Sequence, residues 1–183
     1  MRTSTLDSLP EVPSDFTWPI VLGIDPGTLA MGYGALVERA EGPRLLAAGT
    51  LRPPAGLAVP ARLGFLREQL DQLFARLRPG VVVVEEAFAA INVQSALRIG
   101  EARGVVLSCA QHAGIDIAQY SPASAKKALV GNGRADKSQV AQCVAGELGL
   151  DEVPGSLDAS DALALALAHL YKRRFEAKLG KRQ

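Results

Sequence analysis

The chain of 183 residues has little cysteine, no charge bias and no long apolar run. Its two cysteines, Cys109 and Cys143, lie 34 positions apart without a Cys-x-x-Cys spacing, which argues against both a disulfide framework and a zinc site. No apolar stretch approaches the ~18 residues needed to cross a membrane. The first residues carry Asp7, Glu11 and Asp15 rather than a basic start and an apolar core, so a secretory signal is not expected and a cytoplasmic protein is. Twenty Lys+Arg against nineteen Asp+Glu leave a net charge of +1, so bulk charge points neither toward nucleic acid nor away from it. The basic residues are unevenly placed. Between Tyr171 and Gln183, six of them (Lys172, Arg173, Arg174, Lys178, Lys181, Arg182) face one acid, Glu176. Such a tail can supply phosphate contacts, and it equally suits a solvated helix end.

What is present is 48% hydrophobic residues, enough for one sizeable core and short for two. Residues 1–17, polar and broken by Pro10 and Pro13, read as a disordered leader. The domain is then expected over 18–172, with a basic tail over 173–183. Ile20 to Ile24 is an apolar run stopped by Asp25-Pro26-Gly27, which reads as a buried strand ending in a turn. Two more short strands, Gly32 to Glu38 and Arg44 to Leu51, flank the turn signal Glu41-Gly42-Pro43, giving an antiparallel meander. Pro60 opens a helix whose apolar positions (Leu63, Leu66, Leu70, Leu73, Phe74, Leu77) recur at three and four residues. Val81 to Val84, without alternation, suits a strand buried on both faces of a parallel pair.

Further on, Asn92 to His112 reads as a helix. Gly100 and Gly104 there leave room for a close backbone neighbour, either the sheet or a second subunit. A fifth strand over Ile115 to Tyr120 and a short helix over Ala123 to Val130 follow. The stretch Gly131 to Ser138 approaches a P-loop, but Asp136 stands where a glycine is required and a helix precedes it instead of a strand. Asp136, with Gln139 three residues on, is better read as a helix N-cap. The last helix runs to Tyr171, with Asp158 and Asp161 on one face of its first turn. His169 lies ~16 Å further along that axis at 1.5 Å per residue, too far to share a ligand set with Asp158.

The acids carry the chemistry. Asp25 ends the first strand, and Glu85-Glu86 end the valine strand. Alternation sends those two glutamates to opposite faces without saying which one turns toward Asp25. A right-handed crossover can set the two strands side by side, and Asp158 and Asp161 can reach the same rim. Carboxylates gathered without counter-charge repel and raise one another's pKa values, a penalty that divalent cations remove. Oxygen ligands select Mg²⁺ or Mn²⁺, and two such ions suit in-line displacement at phosphorus.

The ordered set Gly23-Ile24-Asp25-Pro26-Gly27-Thr28, Gly32-Tyr33-Gly34, Glu85-x-x-Phe88, Ser95-Ala96-Leu97-x-x-Gly100-x-Ala102-Arg103-Gly104, Lys137-Ser138-Gln139-Val140 and Asp158-x-x-Asp161-Ala162-Leu163-Ala164 resembles the RuvC family of Holliday-junction resolvases over about residues 20 to 172. The resemblance implies a ribonuclease-H-like α/β fold: a five-stranded mixed sheet, three strands in an antiparallel meander and two parallel, flanked by helices. It implies a homodimer that nicks two strands of a four-way DNA junction with two Mg²⁺ or Mn²⁺ ions per site, leaving a 5′ phosphate, and that works with the RuvA-RuvB branch-migration complex. It makes Asp25, Glu85, Asp158 and Asp161 the metal-binding catalytic acids and chooses Glu85 over Glu86. It places Lys126 and Lys137 near the scissile phosphate and Phe88 at the junction centre, where it would act as an apolar wedge. The candidate DNA-binding residues are Phe88, Arg98, Lys126, Lys127, Arg134 and Lys137. The opening Gly-Ile-Asp-x-Gly-Thr is shared with actin-like ATPases and sugar kinases, which need two lobes and roughly double this length. A junction-binding module without catalysis is the other alternative.

Overall fold

The computed structural model describes residues 6, 9–13, 15–86 and 93–180. The meander forms as its sequence dictates: β1 (Ile20–Asp25), β2 (Met31–Arg39) and β3 (Gly42–Leu51) pair antiparallel in succession. Helix α1 (Val59–Leu77), with its proline in the first turn, returns the chain to β4 (Val81–Glu85), which lies parallel to β1. Helix α2 (Val93–His112) leads to β5 (Asp116–Tyr120), parallel to β4. The sheet order is therefore β3-β2-β1-β4-β5, the ribonuclease-H-like arrangement the resemblance implied. Helices α3 (Pro122–Val130), α4 (Lys137–Leu148) and α5 (Leu157–Gly180) complete the chain. No helix among the described residues is long and apolar enough to cross a membrane.

Strand alternation divides the core in two. Leu22, Ile24, Val82 and Val84 face α1 and α2, where Leu66, Leu70, Leu73 and Val106 are fully buried. Val21, Leu36 and Val83 face the layer of α3, α4 and α5. Apart from Asp161, helix α5 is buried from Ala159 to Leu170, mostly by small and large apolar side chains. Its close approach to the sheet depends on glycine. A Cβ on Gly23 would overlap the Ala162 carbonyl, and one on Gly32 would overlap the backbone of Asp158. Those two strand glycines let the helix backbone touch the sheet.

Of residues 1–17, expected as a disordered leader, 1–5, 7, 8 and 14 lie outside the described residues. Where described, the segment is part of the fold: Leu6 is fully buried, Leu9 nearly so, and Val12 and Phe16 pack on the α1/α2 side of the core. None of its described residues pairs with a strand, and arginines at the end of α1 hold three of its carbonyls. Arg76 donates to Leu6 O at 2.6 Å, and Arg78 donates to Val12 O at 2.7 Å and to Pro13 O. Burying two leucines is worth about 1.5–3 kcal/mol each before the cost of ordering the segment. Removing residues 1–17 therefore lowers the melting temperature by about 2–8 °C, a shift set by ~1–2 kcal/mol net in a domain of this size. An unchanged thermal melt of the truncated protein contradicts this packing.

At the other end, no structural break separates residue 172 from the basic tail. Helix α5 continues to Gly180, and Arg174 reaches back to Glu38 at 3.1 Å. Gly100 and Gly104 do not serve packing on the sheet, since both are exposed with nothing within 4 Å of a Cβ.

Candidate active site

The sheet register brings the acids together. Asp25 is the last residue of β1 and follows Val21 and Gly23 on the face that α5 covers. Ile24 is paired with Val84, so Glu85 stands beside Asp25 at the ends of parallel neighbours. Val83 belongs to the α5 side of the core, so alternation puts Glu85 on that side as well. Glu86 is exposed and lines a separate groove with Tyr120 and Phe175. On the opposite flank Asp25 is paired with Gly32, and Gly32 carries the backbone of Asp158 against it. One turn further along α5, Asp161 enters the same rim.

A cleft of about 280 Å³ is lined by Asp25, Glu85, Asp161, Lys126 and Lys137, with Leu129, Val140 and Leu165 as apolar walls. Asp158 stands just outside this lining, and its charge still acts on Asp25. The Asp136 cap builds one wall. Asp136 Oδ1 accepts from Gln139 N at 2.9 Å, while Asp136 N donates to Gln139 Oε1 at 3.1 Å. That capping box starts α4 at Lys137, whose Nζ donates to Asp161 Oδ2 at 2.6 Å. Lys126, on α3, donates to Ala135 O at 2.7 Å and so ties α3 to the loop before α4.

The electrostatics follow from this crowding. Burial pushes the Asp25 carboxyl up to about 7, and the negative charges of Asp161, Glu85 and Asp158 add to that, against a lowering by Lys137. Glu85 is also raised, first by burial and then by Asp161. Lys137 is raised by its hydrogen bond to Asp161. The consequence for stability has a definite sign. The unfolded chain releases the Asp25 proton near 3.8 and the folded chain keeps it to about 7, so the folded state holds the extra proton between those values. The Asp25 contribution is fully present below that window and is lost as pH rises through it. The metal-free protein and its Asp25→Asn variant should therefore melt together in acid and separate as pH rises toward 7, with the variant the more stable. Added Mg²⁺ should narrow the gap, and melts that keep a constant separation from acid to neutral pH contradict the assignment.

The donor set is all oxygen and its charge is in excess, which suits a hard divalent cation. Among the described residues, no three acid, histidine or cysteine side chains already stand in ligating geometry. Two of the four carboxylates hold protein cations instead, Lys137 on Asp161 and Arg52 on Asp158. The residues thus fit metal ions in charge and chemistry, with ligation requiring Lys137 and Arg52 to swing off the carboxylates they hold.

Arg98, Lys127 and Arg134 do not line the cleft. Arg98 pairs with Glu101 at 2.8 Å and borders a hollow beside Gly27, Thr28 and Leu29. Lys127 is exposed and faces the groove of Tyr120 and Phe175. Arg134 is exposed in the loop before α4. Phe88 lies outside the described residues. His169 accepts or donates at 2.9 Å with Tyr120 Oη, remote from the acids. Sequence reasoning missed Thr50, Arg52 and Ser156, which surround Asp158, and the support Arg103 gives by donating to Glu85 O at 3.1 Å. The one available signal was the meander itself, which sets the end of β3 beside the start of β2.

Comparison with known proteins finds relatives along most of the chain. The family model described as crossover junction endodeoxyribonuclease RuvC matches residues 21–169. The crossover junction endodeoxyribonuclease RuvC of Alkalilimnicola ehrlichii is 44% identical over 161 residues, 88% of this chain and 96% of that one. Among solved structures, Thermus thermophilus RuvC superposes with a TM-score of 0.79 at 35% identity, covering 86% of this chain and 96% of that one. The same protein in complex with a Holliday junction substrate gives 0.77 at 33% identity, covering 85% and 96%. A match spanning β1 to the acids of α5 and most of that helix covers every element that builds the cleft, and the chain belongs to the RuvC family of crossover junction endodeoxyribonucleases.

Proposed function

We propose that this chain resolves four-way DNA junctions by paired, symmetric hydrolysis of phosphodiester bonds, with Asp25, Glu85, Asp158 and Asp161 as its metal-binding acids. The observation that carries the reading is the meeting of Asp25 with Glu85 and Asp161, 60 and 136 residues further along the chain, and with Lys126 and Lys137, in one cleft. Nucleases of this family depend on divalent metal ions. Bound there, two Mg²⁺ or Mn²⁺ ions supply activation of water and neutralisation of charge on the leaving 3′ oxygen.

The chain's own residues do the rest. Asp25 and Glu85 are held on rigid strand ends, which keeps their carboxylates in place without reorganisation. Lys137 neutralises Asp161 in the resting site and is positioned to turn toward a scissile phosphate. Lys126 lines the same wall, so both ammonium groups can stabilise charge developing on the phosphoryl oxygens. Phe88, Arg98, Lys127 and Arg134 are proposed to contact the junction. A homodimer is supported by α2, where Val93, Leu97 and Ile99 are exposed beside the open Gly100 and Gly104. An isologous pair presents two equivalent sites to a junction of twofold symmetry. The RuvA-RuvB complex is the proposed branch-migration partner.

The test is incubation with an end-labelled four-way junction and a linear duplex of the same arm sequence, in Mg²⁺ or Mn²⁺. Nicks at matching positions on two opposed junction strands, and none on the duplex, are expected. Junction binding without cleavage in either ion overturns the reading in favour of a binding module.

A further inference from the structure

Helix α5 begins at a hydroxyl relay that the four acids do not explain. Thr50, near the end of β3, is buried, and its Oγ1 lies 2.6 Å from Ser156 Oγ across 106 residues of sequence. Ser156 precedes the first turn of α5 and caps it, accepting from Ala159 N at 3.4 Å. Its hydroxyl also donates to Asp158 Oδ2 at 3.4 Å. A serine hydroxyl has one proton and two lone pairs. The Ala159 amide donates into Ser156 and the Asp158 carboxylate can only accept, so a Ser156 proton aimed at Asp158 leaves Thr50 as the donor of the 2.6 Å contact. Arg52, two residues beyond Thr50 and so on the same face of the strand, reaches the same carboxylate oxygen at 3.6 Å.

We infer that Thr50 and Ser156 are positioning residues for the Asp158 carboxylate, the Thr50 hydroxyl directing the Ser156 proton onto Oδ2 so that the carboxylate plane is set before an ion arrives. This rests on the reading of Asp158 as a metal-binding acid. Gly32 explains why such a device sits here. Gly32 is the register partner of Thr50 and also the residue against which the Asp158 backbone packs, so the end of β3, the start of β2 and the start of α5 meet at one point. The backbone of Asp158 is thus located by a glycine contact, and its side chain by the relay. Groups behind a metal ligand that fix its orientation typically change metal affinity by about 10–100-fold when removed. Arg52 contributes less, because its ion pair is exposed.

The experiment is Mn²⁺ titration of the purified protein, followed by the electron paramagnetic resonance of free ion, alongside nicking rates at saturating Mn²⁺. Ser156→Ala should raise the Mn²⁺ dissociation constant about 10-fold while the saturated rate stays within about 3-fold. Thr50→Val, which keeps the side-chain shape, should shift it in the same direction by a smaller factor. Ser156→Thr should restore wild-type binding, and Arg52→Gln should change it by no more than about 3-fold. A role confined to capping α5 would lower the melting temperature and leave the titration unmoved. Wild-type Mn²⁺ affinity in Ser156→Ala overturns the inference, and if that variant does not fold, wild-type affinity in Thr50→Val does so. Asp25→Asn, titrated in parallel, separates the two claims. If it too binds Mn²⁺ like wild type, the metal-site reading has failed and the positioning role falls with it. If Asp25→Asn loses the ion and the hydroxyl variants do not, only the positioning role has failed.

Discussion

Asp25→Asn should abolish junction nicking, by about 10³-fold or more, while junction affinity stays within about 3-fold of wild type. Loss of one charge-stabilising group in a preorganised site already costs about 10²–10³ in rate, and Asp25 sits where all the other acids meet. The same substitution should stabilise the metal-free protein at pH 8. A buried carboxylate facing Asp161, Glu85 and Asp158 is held ionised there against their repulsion, and the amide removes that strain at nearly the same volume. Partial access of solvent limits the gain to about 1–3 kcal/mol. Lost activity together with raised stability is the signature of a site built for function against folding. Nicking rates, junction binding by mobility shift, and melts with and without Mg²⁺ check the three parts. A variant that is both inactive and less stable would mean Asp25 is a structural turn residue.

The second large effect is predicted for a residue with no side chain. Gly32→Ala should destabilise the protein by about 3 kcal/mol and depress nicking even under conditions where it remains folded. The added methyl meets the Asp158 carbonyl and, at 3.0 Å, the Ala159 amide nitrogen, which are main-chain atoms that cannot rotate away. Helix α5 must shift, and Asp158 with it. Gly23→Ala should behave similarly against the backbone of Ala162, farther from the acids, with a larger share of its effect on stability than on rate. Gly146→Ala is the control: it lies inside α4 with nothing within 4 Å, so replacing it should be neutral or stabilise by up to about 1 kcal/mol. Equal melting temperatures for Gly32→Ala and Gly146→Ala contradict the close sheet-to-helix contact.

The strand-ending acids were legible because a buried apolar run announces its own end: Asp25 after Ile20–Ile24, and a glutamate after Val81–Val84. Which glutamate was not legible from alternation. A strand buried on both faces carries no polar face to set the phase, and the choice needs the partner layer, here Val83 against the α5 side. The family resemblance made that choice, and the register sets Glu85 beside Asp25. The Asp136 cap was legible because it is local, a side chain answering a backbone three residues on. Thr50, Arg52 and Ser156 were not, since their contacts join residues about a hundred positions apart and their types are ordinary for a strand end and a helix cap. The leader misled for a related reason. Its composition is that of a solvated segment, while its anchoring comes from arginine donors of α1, roughly 70 residues away.

All of this depends on side chains remote in sequence holding cations at one rim. The most direct measurement is anomalous diffraction from crystals soaked in Mn²⁺. The account predicts a peak within ligating distance, about 2–2.3 Å, of carboxylate oxygens of Asp25 and at least one of Glu85, Asp158 and Asp161, with Lys137 turned off Asp161. Mn²⁺ bound elsewhere on the protein, with Lys137 still on Asp161 and no peak at Asp25, would contradict it.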